Sequence, residues 1–343
     1  MNKFHELKIV SVEKNTSDSI LVSFDIPSKI KKTFLFYSGQ YITLEKEIDN
    51  VKIRRAYSIC SSPIEQLLQV GIKKVNGGLF STYANEKFKS GDFVKVFPPE
   101  GRFIFNKTSN PSIIAIAAGS GITPVISIIK MALNKNKKNK IHLLYGNKSP
   151  KKTMFYDLLK SLELKHENRF KISWYFSEIK RKNAYKGRID KTAIMNLNPN
   201  LHSNNLYYIC GPGKMTALLS KILINNTINK NQIYTELFIN NNSKIIESNK
   251  KSGILKIIYD NTTHKINFKP SEILLDTILN NNIDVPHSCQ GGVCSTCISR
   301  IKEGQIKMKT NQILTDDEIK EGLILTCQAI PKSKKITIDF DDV

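Results

Sequence analysis

Four of the chain's six cysteines lie in one pattern near its carboxyl end. In PHSCQGGVCSTCISR, residues 286–300, Cys289, Cys294 and Cys297 fall within nine residues, and Cys327 follows after twenty-nine more. Thiolates placed so closely bind metal, and their grouping says in what form. Two irons, each tetrahedral, take four thiolates, and a tight loop must wrap one side of the pair while turning backbone N–H groups toward the sulfurs. The spacing C-x4-C-x2-C with one distant cysteine fits a 2Fe-2S cluster in this way, and Gly291 and Gly292 permit the close wrapping. A structural zinc ion also takes four cysteines, usually as two C-x2-C pairs on separate knuckles. A zinc-bearing interaction protein is therefore the alternative. His287 stands two residues before Cys289, but a Rieske centre needs two histidines, so it reads as a loop residue. A cluster accepts one electron at a time, which requires a donor upstream.

Two earlier stretches supply the chemistry for one. IRRAYSICSSP carries Arg55, Tyr57 and Ser58 at a strand end, and NGGLFSTYAN carries Gly77, Gly78, Ser81 and Thr82 at a helix start. A tyrosine offers a flat face to a flavin ring, a serine hydroxyl reaches a ring nitrogen, an arginine pairs with phosphate, and a glycine-rich helix start presents free N–H groups to a pyrophosphate. Then IIAIAAGSGITPV places Gly119, Gly121, Thr123 and Pro124 directly after an apolar strand. The glycines let a dinucleotide approach the backbone, and Thr123 and Pro124 suit an N-cap and a first helical position. The motif is not a full G-x-G-x-x-G. Cys60 reads as a core residue.

The elements that must position these residues follow three grammars. Short β-branched and aromatic runs at 6–14, 19–26, 40–45, 53–59, 67–73 and 93–97 predict an antiparallel barrel. From Ser112, apolar strands (IIAIAA, IHLLYG, FKISWYF, NLYYIC) alternate with helical patterns at about 122–138, 153–164 and 213–225, which predicts a parallel sheet covered by helices. The polar stretch 240–253 reads as a linker. Behind it, strands at 254–259 and 263–268 and a helix at 271–281 precede the cysteine loop. The fold class is thus multidomain: an antiparallel β-barrel (1–106), an α/β parallel-sheet domain (107–239), and an α+β unit (254–343) that, with its cysteine loop, resembles a ferredoxin-like β-grasp domain.

Composition narrows the function. The net charge of +22 belongs to the first part alone, since residues 1–249 hold 39 Lys+Arg against 18 Asp+Glu, and residues 250–343 hold 13 against 12. The lysines are scattered, with no aromatic residues interleaved as stacking platforms, which argues against nucleic acid as a partner. No run of about twenty apolar residues is present to insert into a membrane, and MNKFHELKIV lacks a secretory signal's apolar core. A cytoplasmic location is expected.

Taken together, R-x-Y-S, G-x-x-S, G-x-G-x-x-P and C-G-P resemble the ferredoxin-NADP reductase superfamily, here joined to a plant-type ferredoxin domain. The resemblance runs from FHELKI through YGN, GRID and CGP to LTCQAIP. It implies that Arg55, Tyr57, Ser58, Gly78, Ser81 and Thr82 hold FAD, with PPEGRF (98–103) near its adenosine end. It also implies that Gly119, Gly121, Thr123, Pro124, Ser177, Gly211 and Pro212 hold NAD(P)H, that Ser58, Cys210, Glu236 and Phe238 form the hydride site, and that Cys289, Cys294, Cys297 and Cys327 ligate the cluster. Glu178 favours a ribose hydroxyl, whereas Lys180, Arg181 and Lys182 favour a 2′-phosphate; the balance leans to NADPH. By the same resemblance, electrons leave for a separate acceptor protein, a di-iron oxygenase such as that of phenylacetyl-CoA epoxidation or a related hydroxylase or desaturase.

Overall fold

The computed structural model describes residues 3–105, 112–135, 138–197, 205–237, 253–269, 272–292 and 294–343. The chain divides into two compact units, Met1–Phe238 and Ile239–Val343.

The first unit opens with β1 (His5–Thr16), β2 (Ser19–Asp25), β3 (Tyr41–Ile48), β4 (Val51–Ser58), β5 (Leu68–Lys73), helix α1 (Leu79–Lys87) and β6 (Phe93–Glu100). The strands hydrogen-bond in the order β4-β3-β6-β1-β2-β5, and an isolated bridge between Ile59 and Val70 joins the two ends into a barrel. Alternation drives the closure: Leu7, Ile9, Ile42, Leu44, Val94 and Val96 point inward and are fully or almost fully buried, each contributing roughly 1.5–3 kcal/mol on burial. Between β3 and β4 the two-residue turn is Asp49-Asn50, both with positive φ (51° and 59°), the backbone that a tight hairpin asks for and that Asp and Asn tolerate.

The rest of this unit alternates strand and helix: β7 (Ser112–Ala118), α2 (Ile122–Lys135), β8 (Lys140–Asn147), α3 (Tyr156–Lys165), β9 (Phe170–Phe176), β10 (Tyr185–Lys186), α4 (Lys191–Met195), β11 (Leu206–Gly211), α5 (Gly213–Asn225) and β12 (Ile233–Leu237). All pairings are parallel, in the order β10-β9-β8-β7-β11-β12. Strand order therefore reverses between β7 and β11, where an open α/β sheet forms its ligand crevice at the carboxyl ends of its strands. Barrel and sheet are welded to each other: the Ser127 hydroxyl on α2 donates to the Ser61 carbonyl at 2.6 Å, and the Tyr208 hydroxyl donates to the Ile104 carbonyl at 3.0 Å.

Several element ends differ from expectation. Helix α3 begins at Tyr156 rather than 153, and β10, α4 and β12 carry no strong periodic signal because they are two to five residues long. Residues 240–252 of the expected linker lie outside the described residues, and Gly253 already belongs to a strand.

The second unit contains β13 (Gly253–Tyr259), β14 (Thr262–Phe268), α6 (Leu274–Asn280), β15 (Ile298–Glu303), β16 (Ile306–Met308), α7 (Asp316–Lys320), β17 (Leu323–Leu325), β18 (Ala329–Pro331) and β19 (Lys335–Asp339). Its mixed sheet runs β14-β13-β19-β15-β17, with β13 and β19 parallel. Helix α6 begins at Leu274, later than the expected 271, and buries Leu274, Leu275 and Ile278 in one core with Leu255, Ile257, Ile336 and Ile338.

Candidate functional site

Register assembles the first part of the site. Ala117 on β7, Cys210 on β11 and Glu236 on β12 are aligned neighbours across three strands, so the thiol and the carboxyl stand side by side at the carboxyl edge of the sheet. The barrel brings Ser58 to them from the end of β4: its hydroxyl hydrogen-bonds the Glu236 carboxyl. Burial pushes Glu236 up to about 8, while the Ser58 bond pulls the other way. Its Oε2 is enclosed without a hydrogen-bond partner, a costly condition that a bound group can relieve. Cys210 is fully buried; burial first, then the charge of Glu236, raises it well above the ordinary thiol range. Phe238 lies outside the described residues.

Since the folded carboxyl binds its proton more tightly than the unfolded one, its contribution to stability is greatest below its ordinary value near 4.5 and declines as pH rises through about 8. Glu236→Gln is expected to remove that decline, which melting curves of the two proteins between pH 5 and 9 would detect; parallel curves would contradict it.

The Gly119–Pro124 loop leans on the same strand end. A Cβ at Gly121 would sit 2.3 Å from the Cys210 carbonyl oxygen, so only glycine lets the two loops touch. Gly119 has φ +57 and opens onto free space, while its carbonyl is braced by the Tyr145 hydroxyl at 2.9 Å. Thr123 does not cap α2. The helix already runs from Ile122 after a 3-10 turn at Gly119–Gly121, and the Thr123 hydroxyl donates back to the Ser120 carbonyl at 2.9 Å. Thr123 and Pro124 are buried in the first turn, where they shape the loop. Gly211 is buried and Pro212 is exposed at the start of α5. Ser177 is exposed after β9, and Glu178 beside it pairs with Lys148 at 3.4 Å and Lys152 at 3.7 Å.

On the barrel, Arg55 is exposed, its Nη1 donating to the Arg54 carbonyl at 2.6 Å. Tyr57 meets Phe80 of α1 with ring centroids 5.7 Å apart. Phe80 is the residue that sequence reasoning passed over: it couples the R-x-Y-S strand to the Gly78 helix start, and its only signal was an apolar residue between Gly78 and Ser81. The Ser81 hydroxyl is committed to the loop, accepting from Val75 N at 3.0 Å and donating to the Gly78 carbonyl at 3.2 Å. Helix α1 has no side-chain cap, which leaves its first N–H groups for an anionic ligand; Thr82 lies half-buried in that turn. Pro98–Glu100 of PPEGRF end β6, and Phe103, just beyond, packs edge-on against Tyr208 where barrel and sheet join.

In the second unit, all four cysteines of the pattern converge. Cys289 is in hydrogen-bond contact with Cys294 and Cys327, and Cys327 with Cys297. Antiparallel pairing of β15 with β17 places Cys297 and Cys327 together, because one strand begins just after the first and the other ends just before the second. Gly291 N donates to Cys289 Sγ at 3.3 Å, the backbone-to-sulfur bond that a thiolate ligand wants. Among the described residues no group of three or more His, Cys, Asp or Glu is arranged to hold a single metal ion. A two-iron cluster asks for a different arrangement, two thiolates to each iron with sulfides completing each tetrahedron.

Comparison with known proteins agrees with this division. Residues 6–105 match an oxidoreductase FAD-binding domain, 115–221 an oxidoreductase NAD-binding domain, and 257–332 a 2Fe-2S iron-sulfur cluster binding domain. The chain is 33% identical to a subunit of 1,2-phenylacetyl-CoA epoxidase from Escherichia coli (strain K12), covering 99% of both. It is 27% identical to the ferredoxin reductase component of 3-ketosteroid-9-alpha-monooxygenase from Rhodococcus rhodochrous, covering 97% of this chain and 96% of that one. Among solved structures, phthalate dioxygenase reductase shares the fold with a TM-score of 0.66 at 24% identity, covering 98% of each chain. No helix among the described residues is long and apolar enough to cross a membrane. The chain belongs to the family of oxidoreductases, the Escherichia coli epoxidase component among them, that join FAD-binding, NAD-binding and 2Fe-2S domains in one polypeptide.

Proposed function

We propose that this chain is the reductase component of a multicomponent oxygenase, drawing electron pairs from NAD(P)H and delivering them singly to a separate oxygenase protein. The observation that carries the reading is the meeting of Ser58, Cys210 and Glu236 at the sheet edge, in a chain that also gathers Cys289, Cys294, Cys297 and Cys327. On this reading residues 1–106 hold FAD, 107–239 the coenzyme and 254–343 the cluster, with 240–253 as linker. The relatives' names favour an acceptor of the oxygenase class, the phenylacetyl-CoA epoxidase type first. A reducing, cytoplasmic setting suits free thiolate ligands.

FAD accepts two electrons together and gives them up one at a time, which a 2Fe-2S cluster can take. The protein supplies position and protons. Arg55 and the uncapped start of α1 bind phosphate; Tyr57 offers its ring face. Gly119 and Gly121 admit the coenzyme's pyrophosphate to the strand edge, with Gly211 and Pro212 across the crevice. Glu236 keeps its proton up to about pH 8, and the Ser58 hydroxyl is the group through which it reaches the ring. Glu236→Gln is expected to flatten the alkaline fall in coenzyme oxidation while the ring stays bound.

Lys148 and Lys152 occupy the Glu178 carboxylate, and with Lys180, Arg181 and Lys182 beyond, the charge at this edge is positive, which favours NADPH. Replacing Lys148 and Lys152 by alanine is expected to swing the NADPH:NADH ratio of kcat/KM toward NADH by about tenfold. An unchanged ratio would contradict the assignment of Glu178.

The decisive test is an anaerobic visible spectrum of the purified protein with iron and flavin analysis, followed by NADPH and NADH in turn. Flavin and iron-sulfur bands that bleach on addition support the reading. A colourless protein containing zinc without iron would replace it with the interaction-protein alternative.

A further inference from the structure

The turn that carries the fourth cysteine does more than present it. Cys327 sits in a 3-10 turn, Thr326–Gln328, and the residues on either side each reach across to the three-cysteine loop. Thr326 binds the Cys297 carbonyl twice, through its backbone N at 3.1 Å and its hydroxyl at 3.0 Å. Gln328 reaches the other end of the loop. Its side-chain Nε2 lies 3.0 Å from the Gln290 carbonyl, 2.8 Å from the Cys327 carbonyl and 3.7 Å from Cys327 Sγ. Two carbonyls facing one end of the amide fix that end as the donor, because the oxygen would be repelled there.

The loop accepts this grip at a cost in backbone freedom. Gln290 has φ +53 and Gly292 φ +73. A Cβ on Gly292 would lie 2.8 Å from both Gln328 Cγ and the Thr310 carbonyl, so the Gln328 stem lies against the loop where only glycine fits. Gln328 is 7% exposed, so its side chain is largely held within the turn.

We propose that Gln328 is a positioning residue for the cluster: it ties the Cys289 end of the ligand loop to the Cys327 turn and turns an N–H toward the Cys327 sulfur. The inference rests on the reading of the four cysteines as cluster ligands. Groups of this kind set ligand orientation and potential without binding metal themselves, and N–H donation to a ligand sulfur stabilises the reduced, more negative state.

Gln328→Met in the full-length, cluster-loaded protein keeps the stem and removes both donors. Midpoint potential would be measured by anaerobic dye titration followed by electron paramagnetic resonance, and iron release by transfer to a ferrous chelator. The expected result is a downward shift equivalent to about tenfold in the one-electron equilibrium, 59 mV, with iron released about tenfold faster and coenzyme-driven ferricyanide reduction retained. A potential and release rate equal to wild type would overturn the proposal. If the Met variant does not retain a cluster, Gln328→Asn, which keeps the donors but withdraws them by one methylene, is expected to lie below wild type in potential, and a wild-type value overturns the proposal equally. A wild-type protein without iron would instead remove the cluster reading itself.

Discussion

Cys327→Ser is expected to abolish delivery of electrons to one-electron protein acceptors, by about a hundredfold or more, while leaving coenzyme-driven reduction of ferricyanide close to wild type. Three thiolates cannot complete two iron tetrahedra, and the hard hydroxyl of serine is a poor substitute for a soft thiolate. The two activities separate because the cysteines belong to the second compact unit, whereas Ser58, Cys210 and Glu236 belong to the first. Measuring iron content, ferricyanide reduction and cytochrome c reduction on one preparation checks this. A variant with full iron and full cytochrome reduction would remove Cys327 from the ligand set.

The second large effect concerns a single methyl group. In Gly121→Ala the new Cβ would lie 2.3 Å from the Cys210 carbonyl oxygen, 2.6 Å from its carbon and 3.0 Å from Gly211 N. All three are backbone atoms at a strand end, so relief requires prising β7 from β11. Such overpacking costs about 1–3 kcal/mol, a fall of several degrees in melting temperature for a unit of this size, and it opens the crevice in which we place the coenzyme. KM for the coenzyme is expected to rise about tenfold or more, with flavin and iron retained. Gly119→Ala separates clash from strain: nothing of the chain lies within 4 Å of its Cβ, so its folding is opposed only by the strain of φ +57, about 1–2 kcal/mol, and any rise in its KM comes from crowding the coenzyme rather than from parting the strands. Steady-state kinetics and melting curves of both variants test the contrast, and equal behaviour would contradict it.

What could be read from the sequence was what local chemistry determines. The two-residue turns Asp49-Asn50 and Asp260-Asn261, the latter with φ 51° and 57° between β13 and β14, are not singled out there, although few residues accept that backbone. Cysteine spacing identified the cluster because ligand geometry constrains the loop directly. The apolar strand before Gly119 placed the Gly119–Pro124 loop at a strand end. Hidden from the sequence were roles that depend on register or on a neighbour from far along the chain. Thr123 looks like a cap, yet its hydroxyl turns back to Ser120 because the helix starts one residue earlier. The Ser81 hydroxyl also bonds Val75 N and the Gly78 carbonyl, a pairing with no signal in the sequence. The raised carboxyl of Glu236 follows from burial beside Cys210, and no periodicity announces it. Gln328 is one residue beyond a cysteine, and only the turn geometry shows that it reaches Gln290.

The order of strands in the second unit bears on how the protein is made. β19, the last strand in the chain, hydrogen-bonds between β13, the first of its unit, and β15. A growing polypeptide that has already exposed Cys289, Cys294, Cys297 and even Cys327 therefore still lacks the centre of its sheet until residues 335–339 leave the ribosome. Closing contacts over so long a separation is slow. Until β19 takes its place, the β13–β14 hairpin and the β15–β17 pair, which carries Cys297 and Cys327 at its end, share no hydrogen bonds, so the two halves of the sheet meet last.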